Sequence, residues 1–435
     1  MDTVHISPYA GSWYPGRPAE LERLLAELWR RSLERTGAWA LRDPLAFVVP
    51  HAGLVYSGAV AAAAYRMIAA GRPARIVLLG FSHRGGPDGV AIPRAGRIAT
   101  PAGEVPVDGE TAAALAGSPP FEWVPEHTVC DHSVEIQMPL LARAAPGVPV
   151  LPLYVGKLDA ASREAAARGL AALAGPGTIF LASSDFTHYG REFRYQPFPP
   201  GERLRERLRE LDFAAMEAAG SLDPGIFLDH LSATGATVCG HAPVALLAAT
   251  LRLLGDDIYQ ESLDYQTSAE ITGDTQHSVS YAALGYFRAR SFELEREDRE
   301  RLLDSAEATL RGLFETGERV PRPPAPVTPA LARRAGAFVG LHEGAHLRGC
   351  IGHRCGRLPL AEAIPELTLS AALDDTRFAP LTAALPRLGV EISVLTPLRR
   401  IAGPSCFEPG RHGLYLERGR SEERRVGKEC RYRWS

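Results

Sequence analysis

Short, wholly apolar runs alternate with alanine-rich stretches through the first two thirds of this chain, and that alternation constrains the fold more than any other feature. The runs are AFVV (46–49), RIVLLGF (75–81), VPVLPLYV (148–155) and TIFLASS (178–184), and each has the length and content of a strand buried on both faces. Between them lie helix-like stretches such as GAVAAAAYRMIAA (58–70) and DAASREAAARGLAALAG (159–175). Residues 201–217 and 241–254 are again helical in pattern, and SVSYAALGYF (278–287) returns to strand-like residues. Strands separated by helices predict an α/β layered domain with a largely parallel sheet over residues 1–290.

A different texture begins near residue 291. SFELEREDRERLLD (291–304) is a charge-dense helical run, PRPPAPVTP (321–329) an extended connection, and GVEISVLTPLRRI (389–401) strand-like again. These predict a smaller α+β domain over 291–418, and 435 residues suit two or three domains. The stretch 419–435 is abruptly basic and has no apolar period, so it is set aside as a non-native-looking tail that cuts the second domain short.

Hydrophobic residues at 46% and charged residues at 23% match a globular chain with a sizeable core. A net charge of −3 argues against nucleic-acid binding by bulk electrostatics, at least for the first domain. Neither a secretory pattern nor about 18 consecutive apolar residues is evident, so no membrane association and a cytoplasmic address are expected. The cysteines at 130, 239, 350, 355, 406 and 430 follow no disulfide-framework spacing, and are read as thiols open to ligation or catalysis.

Open α/β sheets bind ligands beyond the carboxyl ends of their strands. His51 follows AFVVP and His83 follows RIVLLGFS, each before glycines that allow a tight turn. Two imidazoles at neighbouring strand ends can converge on one ion, and a third ligand would complete a facial set with open positions. Asp185 and His188 in SSDFTHYG (183–190) and Cys239 in ATVCGHAPV (236–244) are the candidates for that third ligand. Cys239 precedes a helix, where a thiol ionises more readily, and a thiolate favours iron, copper or zinc over magnesium. Asp131, His132, Glu135 and Gln137 form a further polar set, read as supporting residues with His132 nearest the pocket. No P-loop or dinucleotide fingerprint occurs.

The segments AGSWYPG (10–16), VPHAGLVYSG (49–58), LLGFSH (78–83), TPAGEVPVD (100–108), DHSVEIQMPLL (131–141), SSDFTHYG and ATVCGHAPV stand in the order typical of the MEMO family, which the chain resembles over about residues 5–288. The resemblance implies a fold like that of the class III extradiol dioxygenases, with His51, His83 and Cys239 as metal ligands. It implies Fe(II) first, with copper or zinc as alternatives. It places Asp185 and His188 at the pocket wall as catalytic residues, with His188 moving protons. Two positions depart from the family pattern: Phe81 replaces a proline before Ser82, and Arg84 replaces a second histidine. Arg84 and His132 are accordingly expected beside the bound group, where Arg84 would favour an anionic small-molecule or peptide ligand.

HLRGCIGH (346–353), with AALDDTRFAPLT (371–382), resembles the AMMECR family. Three readings of it stay open: a catalytic Cys350 with His353 as its base; zinc held by Cys350, His353 and Cys355 with His342 or His346; or a close-packed turn presenting Arg348 and Arg377 to an anion. The fusion resembles the prokaryotic AmmeMemoRadiSam arrangement, which implies a radical S-adenosylmethionine enzyme as a partner. The chain has no CxxxCxxC cluster of its own, so that enzyme would be a separate protein. The leading expectation is a non-haem-metal oxidoreductase, against a binding scaffold with a vestigial metal pocket and a metal-assisted hydrolase.

Overall fold

The computed structural model describes residues 3–38, 40–383, 387–403, 406–409, 412–418 and 422–426. The chain divides into two compact units, Met1–Ser291 and Phe292–Ser435.

In the first unit the apolar runs become the middle of a nine-stranded sheet. Ala46–Val49, Thr178–Ser183, Arg75–Gly80 and Val150–Val155 lie side by side in that order, all parallel. Apart from the half-buried Arg75 and Thr178 at two strand starts, their residues are buried on both faces, which is why no polar alternation interrupts the sequence. Ala46, Val48, Val77, Leu79, Phe180 and Ala182 pack on one face with Leu170, Leu246 and Leu247, from helices Ala160–Ala171 and His241–Leu254. The period of two sends Phe47, Leu78 and Leu181 to the opposite face. Antiparallel strands extend the sheet at both ends: Ser278–Arg288 pairs with Ala46–Val49 and with the long strand Ile258–Thr267, while Val90–Pro93 pairs with Val150–Val155.

Among the described residues one helix, Leu54–Gly71, is apolar enough to span a membrane by length and composition, where the sequence suggested no such stretch. It lies 67% buried within the unit, and its apolar character serves the core.

The second unit is built on a three-stranded antiparallel sheet ordered His346–His353, Ala337–Glu343, Leu388–Val394. Helices Arg296–Thr316 and Leu360–Leu373 cover it, burying Leu302, Leu310, Ile364 and Leu367 against Val339 and Leu341. Two sequence expectations need correction here. HLRGCIGH is a continuous strand and not a turn. Residues 422–426, set aside with the tail, form a strand pairing with Leu414–Arg418. Ladder hydrogen bonds need only backbone groups, so a segment without an apolar period can still pair.

Candidate metal centre

The carboxyl ends of three adjacent parallel strands carry His51, Asp185 and His83 to one edge of the sheet. His51 is 2% exposed. Its backbone N–H donates to Asp185 Oδ1 at 2.8 Å, so Asp185 pins the turn that holds the imidazole. Its Nδ1 lies 3.0 Å from Ser183 Oγ; when Nδ1–H donates there, Nε2 presents its lone pair outward. That Nε2 is 3.2 Å from Cys239 Sγ.

Cys239 reaches this position because Gly240 lies hard against the neighbouring strand end. A Cβ on Gly240 would fall 2.4 Å from the Ser183 carbonyl oxygen, so no larger residue fits, and its N–H donates to Ser184 Oγ at 3.0 Å. The expectation that a helix N-terminus would ionise Cys239 does not hold. Burial, reinforced by Asp185, pushes the thiol far above its ordinary range despite hydrogen bonds that favour the thiolate. Without an ion the sulfur is protonated, and ligation must displace that proton.

On the other side of His51, His83 donates its Nδ1–H to Asp131 Oδ1 at 2.9 Å, which leaves Nε2 to ligate. His132 Nδ1 lies 3.3 Å from the same oxygen. Burial pulls the Asp131 carboxyl upward, but the His83 contact and the Ser133 N–H outweigh it and hold Asp131 below the usual range. His132 is sandwiched between His83 and Trp13, with both ring centroids 4.1 Å away. Burial lowers His51 to about 3, helped by His83 and His188, and lowers His132 to about 4. Both rings are therefore neutral at neutral pH and ready to ligate.

Ligating atoms converge in two groups that share His51: His51, His83 and His132; and His51, Asp185 and Cys239, each within 4.8 Å of one another. The expected ligands His51, His83 and Cys239 are thus divided between the two groups with His51 common to both. Imidazole, thiol and carboxylate donors fit a borderline transition metal better than magnesium or calcium.

His188 sits on the short strand His188–Tyr189. Its Nδ1 faces the carbonyls of Phe186 at 3.0 Å and Thr237 at 3.1 Å, which only accept, so Nδ1 carries the proton and Nε2 the lone pair. Its ring bonds to these carbonyls and not to Asp185. Burial raises the Asp185 carboxyl above its usual value. Arg84 is exposed beside His83. The polar set of 131–137 splits: Asp131 and His132 face the centre, Gln137 Nε2 donates to Pro50 O and Ser183 Oγ, and Glu135 turns elsewhere. Ser183, Trp13 and Thr237 were not singled out from sequence. Ser183 and Thr237 lie inside motifs that were, and Trp13 lies in AGSWYPG.

In the second unit Cys350 stands beside an Asp–Arg ion pair. Its N–H donates to Asp375 Oδ2 at 2.7 Å, and Arg377 bridges Asp375 and the Cys350 carbonyl. The Arg377 contact holds the Asp375 carboxyl well below the carboxylate range. Arg348 is paired with Glu343 at 2.9 Å, so both arginines expected to meet an anion already hold carboxylates. His353 lies three residues from Cys350 on one strand, hence on the opposite face, which removes it as a base for that thiol. Among the described residues, no group of converging metal ligands includes Cys350, His353 or Cys355.

The model of a family described as Memo-like protein matches residues 7–285, and that of AMMECR1 matches residues 303–425, into the stretch set aside as a tail. The chain is 28% identical over 285 residues to the protein memo-1 homolog of Caenorhabditis elegans, covering 63% of this chain and 80% of that one. It is 32% identical over 293 residues to a MEMO1 family protein of Thermococcus onnurineus, covering 65% of this chain and 98% of the relative. Protein MEMO1 of Danio rerio is 30% identical over 285 residues, covering 63% and 94%. With a strand-end donor set seated in the matched region, the chain belongs to the Memo-like protein family and carries an AMMECR1 domain after the Memo-like one.

Proposed function

We propose that the Memo-like unit holds one transition-metal ion at His51, with Cys239 and His83 completing the ligand set, and acts as a non-haem-metal oxidoreductase. One observation carries this reading: the outward Nε2 of a buried, neutral His51 faces the Cys239 sulfur at 3.2 Å, 188 residues away in sequence. Three protein ligands leave coordination positions open, and a bound ion would supply a Lewis-acid or redox centre there. Fe(II) is the ion proposed, with copper and zinc as competitors.

The chain's own residues do the rest. Asp185 holds the His51 turn, Asp131 orients His83, and the His188 Nε2 lone pair accepts a proton from a substrate at the pocket wall. Arg84, exposed next to His83, offers a cation to an anionic small molecule or peptide end. A separate radical S-adenosylmethionine enzyme is proposed as a partner, supported by the joining of the two matched domains. A reducing cytoplasmic setting suits a thiol ligand. A second reading, a binding module with a structural metal, is favoured by Cys239 itself, because a thiolate ligand is open to oxidation.

The test is metal content after anaerobic purification of the wild type and of Cys239→Ala, followed by oxygen uptake with the loaded protein. About one redox-active ion per chain, lost in the variant, is expected. No ion in either protein after reconstitution with Fe(II), copper and zinc would overturn the reading. Stoichiometric ion without oxygen uptake or turnover would leave the binding-module reading standing.

A further inference from the structure

A second cluster of ligating side chains lies one residue from Asp131 and shares no side chain with the His51 centre. Cys130 precedes Asp131, Glu135 ends the short helix His132–Glu135, and His5 sits in the strand Val4–Ile6, which pairs in parallel with Arg97–Thr100. His5 Nε2 is 3.0 Å from Glu135 Oε1. The ligating atoms of His5, Cys130 and Glu135 all fall within 4.8 Å of one another. Glu135 is 1% exposed, and its second carboxylate oxygen, Oε2, is buried with no hydrogen-bond partner. A carboxylate oxygen removed from water and given no donor is the one unexplained group in this cluster.

We propose that His5, Cys130 and Glu135 form a second metal site for a divalent cation of the zinc class. Imidazole, thiolate and carboxylate are the donor types zinc takes, and tetrahedral zinc spaces neighbouring ligands about 3.3–3.7 Å apart. The His5–Glu135 separation needs to open by only a few tenths of an ångström to reach that range. Charge also balances: one thiolate and one carboxylate neutralise a dication, so the ion adds no net charge to a buried place. On binding, Cys130 gives up its thiol proton as the sulfur–metal bond forms, and His5 ligates through neutral Nε2, releasing any proton it shares with Glu135. The ion would tie the strand Val4–Ile6 to the segment that carries Asp131 and His132. The proposal rests on its own residues and not on the His51 reading.

The experiment is anaerobic titration of the full chain with Co(II), whose charge-transfer absorption reports a thiolate ligand. In Cys239→Ser, where the His51 centre has no sulfur, about one equivalent is still expected to bind with a thiolate band. Adding Cys130→Ser is expected to abolish that band. Glu135→Gln and His5→Gln, which remove a ligand while leaving the sulfur, are expected to weaken Co(II) binding at this site at least tenfold and report even if the Cys130 variant folds poorly. No thiolate band in Cys239→Ser, or a band that survives Cys130→Ser undiminished, overturns the proposal. The two centres fail separately. If only the second site is wrong, the wild type's thiolate band vanishes with Cys239→Ser. If only the His51 centre is wrong, the band is insensitive to Cys239→Ser and vanishes with Cys130→Ser.

Discussion

Cys239 and Cys350 each stand beside a glycine that nothing larger could replace, yet the two glycines admit different neighbours. Gly240 lets a turn close on the end of a parallel strand, and this brings the Cys239 sulfur to His51. Gly349 lets a strand close on a helix: a Cβ there would fall 1.9 Å from the Ala371 carbonyl oxygen. Around Cys350, Asp375 accepts from its backbone N–H, and Arg377 donates to its carbonyl and lies beside its thiol. A glycine–cysteine pair thus marks close approach, and what approaches decides whether the thiol meets metal-ligating side chains or an Asp–Arg ion pair.

Acid should separate the two units most strongly. His51 and His132 have pKa values of about 3 and about 4, below the unfolded imidazole value near 6.5. The unfolded chain therefore binds more protons between these limits, and stability conferred by neutral His51 is present above pH 6.5 and lost as pH falls toward 3. For His51 this amounts to roughly 3–5 kcal/mol. Asp375 has the opposite character: its depressed carboxyl keeps its contribution until pH falls below about 4. Hydrogen exchange of the metal-free chain between pH 7 and 4.5 should show protection falling in residues 46–52 and 178–185 while 337–353 hold. Parallel loss in both segments would erase the contrast.

Smaller effects should follow from the glycines. Gly240→Ala and Gly349→Ala are each expected to destabilise their own unit by about 3 kcal/mol through overpacking against backbone. Only Gly240→Ala should also reduce metal content, and equal metal loss in both would break the distinction drawn between the two thiols. Smaller again, Asp131→Asn keeps the shape of the side chain but weakens the acceptor that orients His83. Metal affinity should fall 10–100-fold, about 1.4–2.7 kcal/mol, read by competition with a chelator. An unchanged affinity would remove His83 from the ligand set.

Much of the first unit was legible in sequence because burial on both faces leaves an unmistakable pattern. Uninterrupted short runs such as RIVLLG suit interior strands by their length and content, and their order with intervening helices predicts a parallel sheet. The positions of His51, His83 and Asp185 follow directly, since parallel strands deliver their carboxyl ends to one edge. Less visible was the role of His132. Its place in a ring stack with His83 and Trp13 depends on contacts between segments far apart in sequence. HLRGCIGH was misread because flanking glycines suit a turn and a crowded strand equally well. Glu135 and Gln137 were grouped with Asp131 by proximity in sequence, but two short helices send them in different directions.

The sequence by itself determined the layered α/β architecture, the smaller second domain and the strand-end histidines, because hydrophobic period and chain order are local properties that burial imposes residue by residue. Tertiary structure alone decided that Cys239 is a protonated, half-buried thiol facing His51, that Asp131 serves His83 and His132 together, and that Glu135 is left with an unanswered oxygen beside Cys130 and His5. These are matters of ångströms and of solvent exclusion. The protonation of a thiol or an imidazole is set by everything packed around it, and that surrounding is assembled from strands and turns that only folding brings together.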